Sequence, residues 1–188
     1  MFILEGADNL GKTTAAKVLV EQAAKHAAHF RDKKRHIIRP IRYAHMTRQN
    51  EAFDFFEDYQ DMISVHAVQD RFHLGALVWH DGVMDQHRLR IIEGWLACIG
   101  SYTVIFFAEC DEFYRELLKK SERDEMFNID TIIHANRQYR EMVYGSHPMT
   151  PYFDTFWPMT ENKMWPDHEQ IQQWLEAWFQ RLQHIGRR

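Results

Sequence analysis

Phe2-Ile3-Leu4-Glu5 and Gly6-Ala7-Asp8-Asn9-Leu10-Gly11-Lys12-Thr13, at the start of the chain, are the residues that decide the fold. The first segment is a short, mostly apolar run that Gly6 cuts off, which predicts a buried strand. From Thr13 to Ala28 the chain is rich in Ala, Lys, Glu and Leu and lacks Gly and Pro, which predicts a helix. The loop between them matches G-x-x-x-x-G-K-[ST] in full, in the strand-to-helix context that phosphate binding requires. The sequence therefore predicts that the chain binds a nucleoside triphosphate.

Each residue type in this loop has a physical role in holding phosphate. Glycines let backbone N–H groups curl around phosphate oxygens, and the following helix points its positive end at them. We expect the Lys12 ammonium to reach the β- and γ-phosphates and the Thr13 hydroxyl to join the ligands of Mg²⁺. The predicted ATP-binding residues of the loop are Gly6, Asn9, Leu10, Gly11, Lys12, Thr13 and Thr14.

Predicted strands and helices alternate along the rest of the chain. Further strands are expected at His36–Tyr43, Val65–Gln69, Tyr102–Ala108 and Tyr152–Trp157. Further helices are expected at Leu74–Ile99 with a break near Gly82, Asp111–Lys120, Asp130–Val143 and Pro166–Leu182. This alternation predicts a three-layer α/β fold with a mostly parallel sheet of about five strands. The length of 188 residues suits a single domain.

The composition excludes several classes of protein. The net charge of −4 argues against a protein that coats nucleic acid by bulk charge. Two cysteines cannot staple a fold of this size, which favours a reducing compartment. The longest strongly apolar run, Thr103 to Ala108, is too short to cross a bilayer, and the first residues carry no evident export signal. We therefore expect a cytoplasmic protein without a membrane partner.

Two other classes of phosphate-loop protein have weaker matches. A switch GTPase carries N-K-x-D to read guanine, and the nearest match, Asn162-Lys163-Met164-Trp165, lacks the carboxylate. Motor ATPases carry an apolar strand that ends in an acidic pair, and Glu109-Cys110-Asp111 is an imperfect version of it. A binding protein that uses the loop as a regulated clamp is the non-enzyme alternative.

Motifs along the chain resemble those of the thymidylate kinase family. Glu5-Gly6-x-Asp8-x-x-Gly11-Lys12-Thr13-Thr14 is similar to its first motif, including the acidic residue inside the loop. Asp70-Arg71-Phe72, at the end of a predicted strand, resembles the D-R-[YF] motif. The stretch from Tyr114 to Tyr139 is similar to a basic lid followed by a helix. The resemblance implies one P-loop kinase domain over residues 1–188, with a short helical lid at about 115–128.

The resemblance implies phosphoryl transfer from ATP, with Mg²⁺, to a deoxynucleoside monophosphate. Asp8 would lie beside the acceptor's sugar and near the metal, and Asp70 would hold a metal-bound water or orient the acceptor. Arg71 would grip the acceptor's phosphate, for which a planar bidentate donor is favoured. The implied catalytic residues are Lys12, Asp8, Asp70, Arg71 and Arg123; the metal site is Thr13 and Asp70; Lys119 and Lys120 would bind ATP from the lid; and the acceptor would meet Asp8, Arg71, Phe72, His73, Trp79 and Phe56.

Plainer interpretations of these residues stay open. An Asp-Arg pair is often a simple ion pair, and lysines on a polar helix usually form a solvated face. The aromatic cluster around Phe56 is more often core than a base-stacking surface, and His73 is more often a satisfied histidine than a substrate contact. The resemblance also allows a homodimer through the helices beside the phosphate loop.

Departures from the family favour a second acceptor. The segment between the second and third predicted strands is short, and from Asn50 to Ser64 it contains no Arg that would read a base. The run Asp70-Arg71-Phe72-His73-Leu74-Gly75 resembles phage kinases that look like shortened thymidylate kinases. Some of these phosphorylate the hydroxymethyl group of 5-hydroxymethyluracil in DNA. Residues Arg31 to Arg42 hold six Lys or Arg against one Asp, a patch suited to a phosphate backbone, although it is also typical of a solvated connection.

Overall fold

The computed structural model describes residues 1–34, 42–45, 63, 67–79, 84–121 and 128–185. The strands are β1 (Phe2–Gly6), β2 (Arg42–His45), β3 (Ala67–Asp70), β4 (Tyr102–Ala108) and β5 (Thr155–Met159). The helices are α1 (Lys12–Lys34), α2 (His73–Trp79), α3 (Gln86–Cys98), α4 (Asp111–Lys120), α5 (Ile129–Tyr144) and α6 (His168–Ile185). The strands form one sheet in the order β2-β3-β1-β4-β5, and each described pair is parallel. The predicted α/β organisation with a parallel sheet is confirmed.

Helices cover both faces of this sheet because side chains alternate along each strand. On β1, the Phe2 ring packs edge-to-face against Trp178 of α6. Glu5, three residues further along the strand and therefore on the opposite face, accepts hydrogen bonds from backbone N–H groups at the start of α2. Helix α1 packs on β1 and β3 and against α6, and α5 packs on β4 and β1 from the other side. The parallel strands are consequently buried on both faces, as their continuous apolar sequences predict.

Element boundaries differ from the predicted ones where local bonding decides them. The predicted helical stretch Leu74–Ile99 is two helices, α2 and α3, which agrees with the break expected near Gly82, itself outside the described residues. The Asp85 carboxylate caps α3 by accepting from the Arg88 N–H at 2.8 Å. The last strand begins at Thr155 and not at Tyr152, because the Tyr152 N–H is taken by the Glu93 carboxylate. Residues 36–41 of the predicted second strand lie outside the described part of the chain.

A crevice lies at the carboxyl ends of β1 and β3. The two strands are neighbours, with Leu4 opposite Asp70. The chain leaves β1 into α1 on one face of the sheet and leaves β3 into α2 on the other. In open parallel sheets, ligands bind at such a point, outside the carboxyl ends of strands whose connections diverge. Across the described part of the chain, no helix is long and apolar enough to cross a membrane.

Candidate functional site

A cavity of about 320 Å³ lies at the carboxyl ends of β1 and β3. Four segments that are distant in sequence meet there: the loop after β1, the end of β3, the end of α4 and the turn after β5. The lining residues are Asp8, Asn9, Leu10, Gly11, Lys12, Thr13, Thr14, Asp70, Arg71, Leu117, Lys120, Ser121 and Trp165. The cavity therefore brings the predicted phosphate loop together with the Asp70-Arg71 pair.

The backbone of the loop explains why both motif glycines are needed. Gly6 has a φ of +143°, and a Cβ there would lie 2.3 Å from the carbonyl oxygen of Phe106. Gly11 has a φ of +77°, and a Cβ there would lie 2.2 Å from the Trp165 ring. Both positions combine a left-handed or extended positive φ with a close neighbour, so no side chain fits. Asn9 is also left-handed, at a φ of +55°, a conformation that Asn tolerates better than most residues.

Lys12 and Thr13 begin α1 at the floor of the cavity. The Lys12 side chain is buried, and its Nζ donates to the carbonyl oxygen of Ala7 within the same loop. The Thr13 hydroxyl donates to Asp70 Oδ2 at 2.7 Å, which joins the loop to the end of β3. The first N–H groups of α1 have no partner within the helix, and the positive end of its dipole faces the same space.

The pair of Thr13 and Asp70 fits a magnesium ion. Mg²⁺ takes hard oxygen ligands, and it usually keeps several waters and binds through one or two carboxylates plus substrate phosphates. A hydroxyl and a carboxylate 2.7 Å apart, beside a phosphate loop, supply such a donor set. Within the described residues, no group of three or more His, Cys, Asp or Glu side chains is arranged to hold a metal. Phosphate oxygens and water would therefore complete the coordination.

Asp8 and Arg71 form an ion pair across the cavity. The Arg71 Nη2 donates to Asp8 Oδ1, and the Arg71 side chain is 7% exposed whereas that of Asp8 is 29% exposed. Arg71 adopts a left-handed φ of +65°, which directs its side chain away from the sheet toward the loop. The guanidinium carbon also lies 5.8 Å from the centre of the Trp79 ring, within the range of a cation–π contact.

Two predicted acceptor contacts, Phe72 and His73, are core residues. Phe72 is fully buried and His73 is 1% exposed, and neither side chain lines the cavity. Both follow Arg71 directly, and the start of α2 turns them into the core between β1 and α5. Burial lowers the pKa of the His73 imidazole to about 3, so the ring is neutral at physiological pH. The structure therefore does not bring these two side chains to the cavity with Asp8 and Arg71, because the D-R-F run sets their position in the sequence and not their direction.

The predicted lid contributes one of its lysines to the cavity. Lys120 lines it, whereas Lys119 turns to solvent and pairs with Glu116 at 2.8 Å. Arg123 and Phe56 lie outside the described residues. No sequence pattern predicts two further bonds: the Ser121 hydroxyl accepts from Asn9 Nδ2 at 3.1 Å, and the Tyr114 hydroxyl donates to the Asp8 carbonyl. These two bonds attach α4 to the phosphate loop.

Two comparisons with known proteins found no match. No protein-family model matches this chain, and no curated protein matches it. The likeness to thymidylate kinases therefore depends on the motifs quoted above. The structure adds that polar residues from two of those motifs, among them Lys12, Asp70 and Arg71, line a single cavity.

Glu5 is a buried carboxylate beneath this site. Its Oε1 accepts the N–H groups of Phe72 and Leu74, both at 2.9 Å, and the Tyr139 hydroxyl lies 3.4 Å from its Oε2. Burial raises the pKa of Glu5 to about 7, although the two N–H donors and the charges of Lys12 and Arg71 act in the opposite direction. The carboxyl group therefore changes its protonation state near neutral pH.

The raised pKa of Glu5 predicts a pH-dependent stability difference between the wild type and Glu5→Gln. Between pH 4.5 and about 7 the folded chain holds a proton on Glu5 that the unfolded chain has released. The stabilising contribution is thus complete below pH 4.5 and is lost as the pH rises through about 7. The amide of Glu5→Gln stays neutral across this range. Relative to this variant, the wild type should therefore lose roughly 3 kcal/mol of its free energy of unfolding between pH 5 and pH 8. Urea unfolding across this range measures it, and a difference that does not change with pH contradicts the prediction.

Proposed function

We propose that this chain is a P-loop kinase that transfers the γ-phosphoryl group of ATP, with Mg²⁺, to a deoxynucleoside monophosphate. The observation that carries the proposal is the meeting of two half-sites in one cavity. One half is the phosphate loop with Lys12 and Thr13, and the other is the strand end with Asp70 and Arg71. Phosphoryl transfer needs positioned groups and positive charge more than covalent help, and this arrangement supplies both.

The donor half holds the triphosphate. The loop amides and the start of α1 take the phosphate oxygens, and Lys12 exchanges the Ala7 carbonyl for the β- and γ-phosphates. Thr13 and Asp70 would hold Mg²⁺, which neutralises charge on the β- and γ-oxygens when bound. Lys120 faces the same cavity from the end of α4 and adds a further positive charge to the rim.

The acceptor half holds a phosphate in line with the donor. An oxygen of the acceptor's phosphate attacks the γ-phosphorus, and the bond from that phosphorus to the oxygen bridging to the β-phosphate breaks. The products are ADP and a deoxynucleoside diphosphate. Arg71 grips the acceptor's phosphate through its planar guanidinium, and Asp8 keeps that guanidinium oriented before the acceptor arrives.

Trp165 is suited to hold the base of the donor. Its indole ring covers Gly11, lines the cavity and is 50% exposed, which is unusual for a side chain of this size. It follows the turn that the Thr160–Lys163 bridge closes after β5. An exposed aromatic face beside a phosphate loop offers a stacking surface to a nucleobase, at a strength that depends little on which base is bound.

Replacing Trp165 with alanine is expected to raise the KM for ATP about tenfold, because stacking on the base is lost. The acceptor KM should stay unchanged, since Trp165 lies on the donor side. Trp165→Phe keeps an aromatic face and should restore most of the affinity. Steady-state kinetics with each substrate varied in turn make this measurement, and a rise confined to the acceptor KM contradicts the donor placement.

A second acceptor is favoured by the charge of one segment. Residues 31–42 carry six Lys or Arg and one Asp in a chain whose net charge is −4. Such a patch suits the backbone of DNA, and the acceptor would then be 5-hydroxymethyluracil within it. Residues 35–41 of this segment lie outside the described part of the chain. A base in duplex DNA would have to be flipped out or single-stranded for in-line attack.

One labelling experiment tests the proposal and separates the two acceptors. γ-Labelled ATP and Mg²⁺ are incubated with common and 5-hydroxymethyl deoxynucleoside monophosphates, and in parallel with DNA that contains or lacks 5-hydroxymethyluracil. Label in a free diphosphate supports the nucleotide kinase. Label only in the modified DNA supports the second acceptor, and label in neither contradicts both.

A further inference from the structure

Arg71 is held by its main chain on both sides, and this anchoring is separate from its ion pair with Asp8. The Arg71 N–H donates to the Leu4 carbonyl at 2.8 Å, and the Arg71 carbonyl accepts from Gln69 Nε2 at 3.0 Å. The N–H groups of Phe72 and Leu74, which follow it, donate to the Glu5 carboxylate. Buried polar side chains thus bind the main chain on both sides of Arg71.

This anchoring is needed because the backbone of Arg71 is unfavourable. A φ of +65° places Arg71 in the left-handed region, which is strained for a residue with a side chain. Such a conformation persists only where its surroundings determine it. Gln69 is 1% exposed and Glu5 is fully buried, so both side chains have fixed directions.

We propose that Gln69 and Glu5 are positioning residues, which hold the left-handed turn at Arg71 so that its guanidinium faces Asp8 and the acceptor's phosphate. Neither residue touches the cavity, and each acts through the main chain around Arg71. The inference rests on the proposed function only for the identity of the ligand that Arg71 binds. The role of Gln69 and Glu5 in holding the turn does not depend on the proposed function.

The test uses variants that remove one bond and keep the volume. Gln69→Met removes the donor to the Arg71 carbonyl with little change of shape. Thr103→Val is the matched control. Thr103 is 2% exposed, and it lies opposite Ile3 on one side of β1, in β4, just as Gln69 lies opposite Ile3 on the other side, in β3. Glu5→Gln keeps an oxygen that accepts both N–H groups, so it should behave as the wild type at Arg71.

Two readouts decide the outcome. Gln69→Met should raise the acceptor KM about fivefold while the ATP KM stays unchanged, whereas Thr103→Val should change neither. In the Arg71→Ala background, Gln69→Met should have no further effect on the acceptor KM, because its action passes through Arg71. The second readout is the NMR signal of the buried Arg71 Nε–H, identified by its loss in Arg71→Ala. That signal should move into the range of exposed arginines in Gln69→Met.

Failure of the inference is distinct from failure of the proposed function. If the wild type transfers no phosphoryl group to any acceptor, the function fails, and the Arg71 Nε–H signal alone then decides the inference. A signal that is the same in Gln69→Met as in the wild type overturns the inference. So does an equal rise of the acceptor KM in Thr103→Val, because it would reflect a general loss of packing.

Discussion

Replacing Lys12 with alanine is expected to lower kcat for phosphoryl transfer by at least about 100-fold. The ammonium of Lys12 faces the cavity from the start of α1, where charge on the transferring phosphoryl group must be neutralised. Its Nζ donates to the Ala7 carbonyl of the same loop, so we expect the variant to change the phosphate loop and to keep the overall fold. Steady-state kinetics with circular dichroism as a check of folding make the measurement.

Lys17 provides the matched control for this variant. It lies on the same helix, α1, and is exposed to solvent, outside the residues that line the cavity. Lys17→Ala should therefore keep the wild-type kcat. If Lys12→Ala turns over at the wild-type rate, or if both variants lose activity equally, the phosphate loop is not the donor site.

The second large effect is expected from Arg71→Ala, which should raise the acceptor KM about 10- to 100-fold with little change in the ATP KM. The reason is that Arg71 carries the bidentate donor opposite the phosphate loop and binds the ground state and transition state alike. The variant also removes the positive charge beside Asp8, which disfavours an anionic acceptor. The acceptor KM and the ATP KM are measured separately at saturating co-substrate.

Arg88 is the control for the loss of an arginine. It lies on α3, its side chain is 41% exposed, and it pairs with Asp85 away from the cavity. Arg88→Ala should leave both KM values unchanged. An effect of Arg71→Ala on the ATP KM alone would assign Arg71 to the donor side.

The phosphate loop and its flanks could be predicted from the sequence because their geometry leaves few alternatives. Positive φ angles and close neighbours require glycine at positions 6 and 11, and the motif has glycine at both. Helix α4 has the predicted bounds because acidic residues open it and Lys119 and Lys120 close it. The parallel sheet followed from the alternation of strands and helices.

The rest of the site depends on long-range contacts that no local pattern reports. Trp165 reaches the phosphate loop from the far end of the sheet, more than 150 residues along the chain. The burial of Phe72 and His73 follows from the left-handed turn at Arg71, which in turn depends on Glu5 and Gln69. The local sequence shows that Phe72 and His73 follow Arg71, but it does not show that this turn directs their side chains into the core.

The most direct test of phosphoryl transfer is a ³¹P NMR time course with the wild-type chain, Mg²⁺, ATP and the deoxynucleoside monophosphates, repeated with Lys12→Ala. We expect the signals of ADP and of a deoxynucleoside diphosphate to rise together in equal amounts with the wild type and to stay absent with Lys12→Ala. Release of inorganic phosphate without a diphosphate, or an unchanged spectrum with the wild type, would contradict it.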